Sequence, residues 1–143
     1  MSILFEQPSV SRVTIIAFIM AFGVGCGETA PEMVTVSGQV LLDGKGVTAG
    51  AVYFHPDATN SFQKDTPSCQ LQLDGTFSVK TFPFGDGVPP GKYKVTLTPE
   101  LANRIRQPKY GRKDKTPWEV VVPNTAVTDL KLEITSKTAK DKP

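Results

Sequence analysis

The sequence is poor in the residues that carry most catalytic and metal-binding chemistry. Its 143 residues contain one histidine, His55, and two cysteines, Cys26 and Cys69. Serine and aspartate are present, but no spacing among them suggests a catalytic triad, an acid–base pair or a metal site. We therefore expect no enzyme activity, no catalytic residue, no bound metal and no cofactor.

The chain also lacks a strong charge of either sign. Sixteen Lys and Arg residues against 14 Asp and Glu residues give a formal net charge of +2 at pH 7. No basic stripe is interleaved with aromatic residues, so a nucleic-acid partner is not expected. A basic cluster runs from Lys109 to Lys115, and we interpret it as a solvated loop, with an anionic-ligand patch as the alternative.

The apolar run Val13–Gly25, which follows Arg12, is too short to cross a bilayer as a helix, since spanning takes about 20 residues. It fits the apolar region of a secretory signal, so residues 1–25 are predicted to be a signal peptide. The run ends in Gly23–Gly27 (G-V-G-C-G), which resembles a bacterial lipobox. That resemblance implies that Cys26 is lipidated and becomes the mature N-terminus. Ordinary signal-peptidase cleavage and an uncleaved anchor are the alternatives.

Turn formers and alternating apolar residues dominate the rest of the chain. Twelve glycines and 12 prolines indicate many turns and short elements, which favours an all-β fold. We predict a tether over 26–33, a seven-stranded antiparallel β-sandwich over 34–134 and a disordered Lys-rich tail over 135–143. The predicted strands lie near 33–42, 47–55, 68–72, 76–81, 91–98, 117–122 and 127–134.

The period of two assigns one face of each strand to the core. We expect the hydroxyl of Tyr93 to bind a nearby backbone group. Gly38 occupies an inward position, which indicates a bulge or a close approach of another chain. The side chains expected to face inward are those of Val34, Val36, Val40, Leu42, Val52, Phe54, Cys69, Leu71, Phe77, Val79, Tyr93, Val95, Leu97, Trp118, Val120, Val122, Leu130, Leu132 and Ile134.

The register of the turn at Asp74-Gly75 follows from the same alternation. A two-residue loop would place Phe77 on the opposite face from Leu71, whereas a three-residue loop, Leu73–Gly75, pairs Leu71 with Phe77 and Cys69 with Val79. We prefer the longer loop, in which Gly75 is the left-handed residue of a bulge.

Several short motifs resemble those of a known family. Val36–Lys45 (V-S-G-Q-V-L-L-D-G-K), Gly50–Pro56 (G-A-V-Y-F-H-P), Asp74–Phe77 (D-G-T-F) and Pro90–Val95 (P-G-K-Y-K-V) are similar, in that order, to a carboxypeptidase regulatory-like domain of the transthyretin (prealbumin-like) type. Pro108–Tyr110 with Thr116–Val120 resembles the ending of small lipoproteins common in planctomycete bacteria. The resemblance implies a β-sandwich fold and a location in the cell envelope. It does not imply any particular activity.

Three functions remain open at this point. The first is a membrane-tethered, non-catalytic sandwich with a binding or structural role, exported and lipid-anchored to the cell membrane or outer membrane, facing the periplasm or cell surface. The second is a hydrolase of the transthyretin-like class, for which His55 stands alone. The third is a carbohydrate- or peptide-binding module, with a Ca²⁺ site as a less favoured addition. Its candidate aromatic residues are Tyr53, Phe62, Phe82 and Phe84, and the candidate calcium ligands are Asp57, Asp65, Asp74 and Asp86.

Cys69 has two interpretations that depend on Cys26. If Cys26 is lipidated, Cys69 has no partner and is a buried thiol. If Cys26 is not lipidated, an exported protein could pair the two cysteines in a disulfide. We favour the buried thiol. The ligand or partner of the protein, whether a glycan or another protein, stays unknown from the sequence.

Overall fold

Two β-sheets form the body of the molecule in the computed structural model, which describes residues 29–136. A short helix α1 (Pro99–Arg104) and a 3₁₀ helix (Pro108–Gly111) lie between the strand that ends at Leu97 and the strand that begins at Glu119. Within the described residues, no helix has the length and apolar character needed to cross a bilayer. The strands are β1 (Val36–Leu42), β2 (Lys45–Gly46), β3 (Ala51–Pro56), β4 (Ser68–Gln70), β5 (Thr76–Ser78), β6 (Lys80–Thr81), β7 (Gly85–Asp86), β8 (Gly91–Leu97), β9 (Glu119–Val122) and β10 (Val127–Ile134).

Sheet 1 contains β10, β1 and β2 in that order, and β5 also pairs with β1. Sheet 2 has the order β7-β6-β4-β3-β8-β9. The predicted all-β class and its two sheets are thus confirmed. The predicted count of seven strands is wrong for the described residues. The segment predicted as one strand over 76–81 divides into β5 and β6, which belong to different sheets, and the short strands β2 and β7 were not predicted.

The sandwich is not wholly antiparallel, because β1 and β10 pair in parallel, with Val40 opposite Leu132. The path of the chain explains this correction. β9 ends at Val122 opposite Gly91, the first residue of β8, and the chain then crosses to sheet 1. It enters β10 beside Val36, where β1 also begins, so both strands run in the same direction.

The predicted inward faces form a single core. Tyr93, Val95 and Leu97 are at most 1 % exposed, and the Tyr93 hydroxyl donates a 2.6 Å hydrogen bond to the Pro89 carbonyl, as predicted. Leu42, Cys69, Trp118 and Leu130 are only partly buried and pack against the core from its margin. The other residues assigned inward are buried: Val34, Val36, Val40, Val52, Phe54, Leu71, Phe77, Val79, Val120, Val122, Leu132 and Ile134.

Gly38 fulfils both of its predicted roles. The β1–β10 register shifts between Val36 and Gly38, which marks an irregularity of the bulge type. A Cβ atom at Gly38 would lie 2.0 Å from the Leu130 carbonyl oxygen, so the two parallel strands approach each other too closely for any side chain there.

The three-residue loop at Leu73–Gly75 is also confirmed. The Gln72 amide donates to the Thr76 carbonyl at 2.8 Å, and Gly75 has a φ of 82°. Farther along, Ser68 pairs with Lys80, which is the same register that sets Cys69 opposite Val79. Between these points the two strands separate, because β5 leaves to pair with β1.

The two ends of the sandwich differ in the segments that lie there: the N-terminal segment at one end, called the tether end, and α1 at the other, called the helix end. At the tether end, Val34 and Val88 exchange two backbone hydrogen bonds, and residues 29–33 leave the domain there. At the helix end, Arg104 of α1 donates to the carbonyls of Thr48 and Ala49. The predicted signal peptide and Cys26 lie outside the described residues, as does most of the predicted tail. Ser136, within that tail, is hydrogen-bonded to the carboxylate of Asp43.

Candidate functional site

A groove of about 500 Å³ lies on the outer face of sheet 2, over β4. Its position follows from the separation of β4 and β5. Ser68 is paired with Lys80 on β6, but β5 has left for sheet 1, so the sheet opens between Gln70 and Ser78. The groove runs from Ala51 near the helix end toward Phe82 at the tether end.

The groove combines one aromatic ring on its floor with a polar lining. Tyr53 on β3 is half-buried and presents its ring on the outward face of the strand. Phe82, just past β6, is 86 % exposed and closes the tether end of the groove. Amide, hydroxyl and ammonium groups supply the polar lining: Ser68, Gln70, Gln72, Ser78 and Lys80. Such a surface can stack a flat apolar face and hydrogen-bond the polar groups around it.

Cys69 is a free thiol that packs against the core from its margin, but it is half-buried and contacts this groove, so the predicted buried thiol is only partly covered. The reason is the gap left by β5, which uncovers part of β4. Burial nevertheless raises the pKa of the Cys69 thiol to about 12, so the thiol stays protonated at neutral pH and is a poor nucleophile. The structure records Cys69 as a free thiol, and Cys26 lies outside the described residues.

His55, the candidate for hydrolase chemistry, has a structural hydrogen-bond partner. Its Nε2 lies 2.8 Å from the hydroxyl of Thr96, and its ring centroid is 6.4 Å from that of Tyr53. Burial, with a smaller contribution from the charge of Lys113, lowers the pKa of His55. A neutral imidazole bound to a buried threonine is suited to packing on the sheet face.

The four candidate calcium ligands are not brought together. Asp57 accepts hydrogen bonds from the backbone and hydroxyl of Thr59, and Asp74 does the same with Thr76. Asp86 forms an exposed ion pair with Lys80 at 3.3 Å. Among residues 29–136, no group of three or more His, Cys, Asp or Glu side chains could hold a metal ion. These three aspartates therefore stabilise turns and a hairpin.

The predicted aromatic candidates divide into two sets. Tyr53 and Phe82 both line the groove. Phe62 and Phe84 are half-buried and pack edge-to-face on each other at the tether end, with ring centroids 5.8 Å apart. The sequence could not separate these sets, because the pairing depends on how a long loop folds back on the β6–β7 hairpin.

The basic cluster that begins in the 3₁₀ helix is exposed. Its first part folds as the 3₁₀ helix rather than as an irregular loop, and the Lys109 ammonium lies 5.1 Å from the ring centroid of Tyr110. Arg112 pairs with Asp114 at 3.3 Å, with both side chains more than half exposed. Lys113 and Lys115 are exposed as well.

Sequence reasoning missed the polar side chains of the groove. Gln70 and Gln72 alternate with Cys69 and Leu71, so their outward direction was readable from the parity of the strand. To predict that Gln70 and Gln72 border a groove, one would have to know that β5 pairs with β1.

The fold and the groove define a two-sheet, all-β domain with an open groove on the outer face of one sheet. In comparisons with protein-family models, curated proteins and solved structures, no match to this chain was found.

Proposed function

We propose that this protein is an exported, lipid-anchored and non-catalytic binding module of the cell envelope, which holds a glycan chain in the groove on sheet 2. The observation that carries the binding role is the groove itself, in which the ring of Tyr53 lies beside hydroxyl and amide side chains. The anchor rests on the lipobox-like residues at Cys26.

Sugar chemistry matches this lining. A pyranose ring has an apolar C–H face that stacks on an aromatic ring and hydroxyl groups around its rim that exchange hydrogen bonds with amides. Lys80 is the charged member of the lining, and Asp86 pairs with it at 3.3 Å. A largely neutral groove favours an uncharged polymer over a polyanion.

The chemistry of the groove argues for holding a ligand over transforming it. The nearest reactive group, the Cys69 thiol, has a pKa raised to about 12 by burial. His55 faces the same sheet surface, but its ring nitrogen is engaged with Thr96. Among the residues that line the groove, neither group has an acid–base partner that would activate it.

A glycan array tests the binding role. The full exported chain with Cys26→Ser, which removes the anchor, is applied to the array and to an immobilised peptide library. We expect glycan binding that Tyr53→Ala weakens by about tenfold or more, because the stacked apolar face is lost. Gln70→Ala should weaken it less.

Val121→Ala is the matched control. Val121 is 67 % exposed on the same sheet but lies on β9, away from the groove. Its substitution should leave binding unchanged. Peptide binding without glycan binding, or equal losses from Tyr53→Ala and Val121→Ala, would contradict the proposed role.

A further inference from the structure

Three phenylalanine residues lie in the loops at the tether end of the sandwich. Phe82 stands at the tip of the β6–β7 hairpin and is 86 % exposed. Phe84, on the same tip, packs edge-to-face on Phe62 of the neighbouring loop. The exposed ring of Phe82 and the half-buried pair of Phe62 and Phe84 thus place apolar surface at this end of the domain. We call Phe62, Phe82 and Phe84 the aromatic tip.

The aromatic tip lies beside the point where the N-terminal segment leaves the domain. The hydroxyl of Thr81, the residue before Phe82, donates to the Gly87 carbonyl at 2.8 Å. Gly87 precedes Val88, which is paired with Val34 of the departing segment. Phe62 lines a cavity of about 240 Å³ together with Pro31 and Glu32 of that same segment.

The length of the departing segment sets the distance to the membrane. Eight peptide units separate Cys26 from Val34. Even fully extended, they span at most about 29 Å, and any less extended path brings the domain closer. A lipid on Cys26 therefore holds the tether end within about 29 Å of the bilayer, whereas the described part of the chain has no comparable link that ties the helix end to it.

We propose that the aromatic tip contacts the bilayer, with the Phe82 side chain buried at the boundary between headgroups and acyl chains. This inference rests on the proposed lipid anchor. Moving a phenylalanine side chain from water to that boundary lowers the free energy. Among the described residues, Phe82 is 86 % exposed and so has apolar surface available for this contact. Because Phe82 closes the tether end of the groove, the remainder of the groove then opens just above the headgroups.

The opposite end of the molecule supplies a matched control. Leu73 is 92 % exposed at the turn between β4 and β5, at the helix end. It is as accessible as Phe82 and apolar, but the departing segment leaves from the other end of the sandwich. Under this proposal, Phe82 contacts the membrane and Leu73 does not.

Site-directed fluorescence in vesicles tests this contact. The full chain contains one tryptophan, so Trp118→Phe gives a background to which Phe82→Trp or Leu73→Trp is added. Each protein is purified from membranes, its lipid is verified by mass spectrometry, and it is reconstituted in phosphatidylcholine vesicles with or without acyl-brominated phosphatidylcholine. We expect the indole at position 82 to shift to the blue and to lose most of its emission to bromine, and the indole at position 73 to do neither.

The outcomes separate this inference from the proposed anchor. A lipid-bearing protein whose two indoles are quenched equally, or in which the position-82 indole stays unquenched, overturns the contact and leaves the anchor standing. A protein that carries no lipid at Cys26 overturns the anchor and, with it, this inference.

Discussion

The two ends of the sandwich share one core but are closed in different ways. The tether end is closed by loops whose buried side chains hydrogen-bond to backbone atoms, and its surface carries the aromatic tip. The helix end is closed by apolar packing of α1, and the exposed Arg106 and Lys109 lie beside that helix. This difference is the basis of the proposed orientation, in which the tether end contacts the membrane and the helix end points away from it.

Asn60 is the centre of the polar closure at the tether end. Its side chain is 8 % exposed, donates to the Lys92 carbonyl at 2.8 Å and accepts from the Lys92 amide at 2.8 Å. Gly91 makes room for it, since a Cβ there would lie 2.6 Å from the Asn60 carboxamide carbon. The Asn60 side chain therefore bonds the backbone of Lys92 as a neighbouring strand would, at the start of β8.

Leu101 is the centre of the apolar closure at the helix end. It is fully buried, as is Ala102 beside it on α1. Gly50 lies directly under Leu101, where a Cβ would come within 2.5 Å of its side chain. Thr116 then ties the segment after the 3₁₀ helix to β8, because its hydroxyl donates to the Val95 carbonyl at 2.6 Å.

The largest stability effect is expected at the tether end of the core. Tyr93→Ala should lower the free energy of unfolding by about 3–5 kcal/mol, because it leaves a large cavity and removes the hydrogen bond to Pro89. Urea unfolding followed by circular dichroism measures the loss. Tyr53→Ala, on the outer face of the adjacent strand, is the control and should cost much less. A Tyr93→Ala loss below about 1 kcal/mol would contradict the core position of Tyr93.

The helix end should respond next most strongly. Leu101→Ala is expected to lower the free energy of unfolding by about 2–5 kcal/mol, since the packing between α1 and the sheets is lost. Asn103→Ala, exposed on the same helix, should be close to neutral. Hydrogen exchange would localise the effect to the helix end. If both variants unfold alike, Leu101 does not close this end of the sandwich.

The polar closure should be weaker than the apolar one. Asn60→Ala leaves the amide of Lys92 without its partner and should cost about 1–3 kcal/mol. The Lys92 carbonyl loses one of its two donors and still accepts from the Asp57 amide at 2.9 Å. Ser61→Ala, exposed on the same loop, is the matched control. Chemical denaturation compares the two. A cost for Asn60→Ala above that of Leu101→Ala would reverse the ranking of the two ends.

The smallest effect compares two like turns, one at each end. Hydrogen bonds from Thr59 lower the pKa of Asp57, with the backbone donor first, and those from Thr76 lower the pKa of Asp74, with the hydroxyl first. A lowered carboxylate pKa contributes stability above the ordinary value of 3.8, and this is lost as the pH falls through the folded-state pKa. The Thr76 hydroxyl lies 2.6 Å from the Asp74 carboxylate, and the Thr59 hydroxyl lies 2.8 Å from the Asp57 carboxylate. We therefore expect the loss of melting temperature on acidification to be reduced more by Thr76→Val than by Thr59→Val. An equal reduction in the two variants would contradict a stronger hydroxyl contact at Asp74.

Much of the fold was predictable from local patterns. Alternation placed Tyr93, Val95 and Leu97 in the core, and a glycine at an inward position predicted the close approach at Gly38. The loop at Leu73–Gly75 followed from a choice between two registers, of which only one kept the apolar faces together. Each of these inferences needs only neighbouring residues and the rule that apolar side chains are buried.

What the sequence could not supply was partner choice between distant strands. The parallel pairing of β1 with β10 and the departure of β5 to sheet 1 depend on which edges meet after the chain has crossed the sandwich. The groove is a product of that departure, so its polar lining was missed although Tyr53 and Phe82 were named. Cys69 was placed on the correct face of its strand. Its partial exposure was not predicted, because it also results from the departure of β5 to sheet 1.

The proposed orientation of the domain depends on one proposed covalent feature, a lipid at Cys26. Mass spectrometry of the protein extracted from its native membrane tests this claim most directly. We predict a mature N-terminus at Cys26 that carries a lipid adduct, and no such species for Cys26→Ser. An unmodified N-terminus generated by ordinary cleavage, or a chain that retains its first 25 residues, would contradict the account.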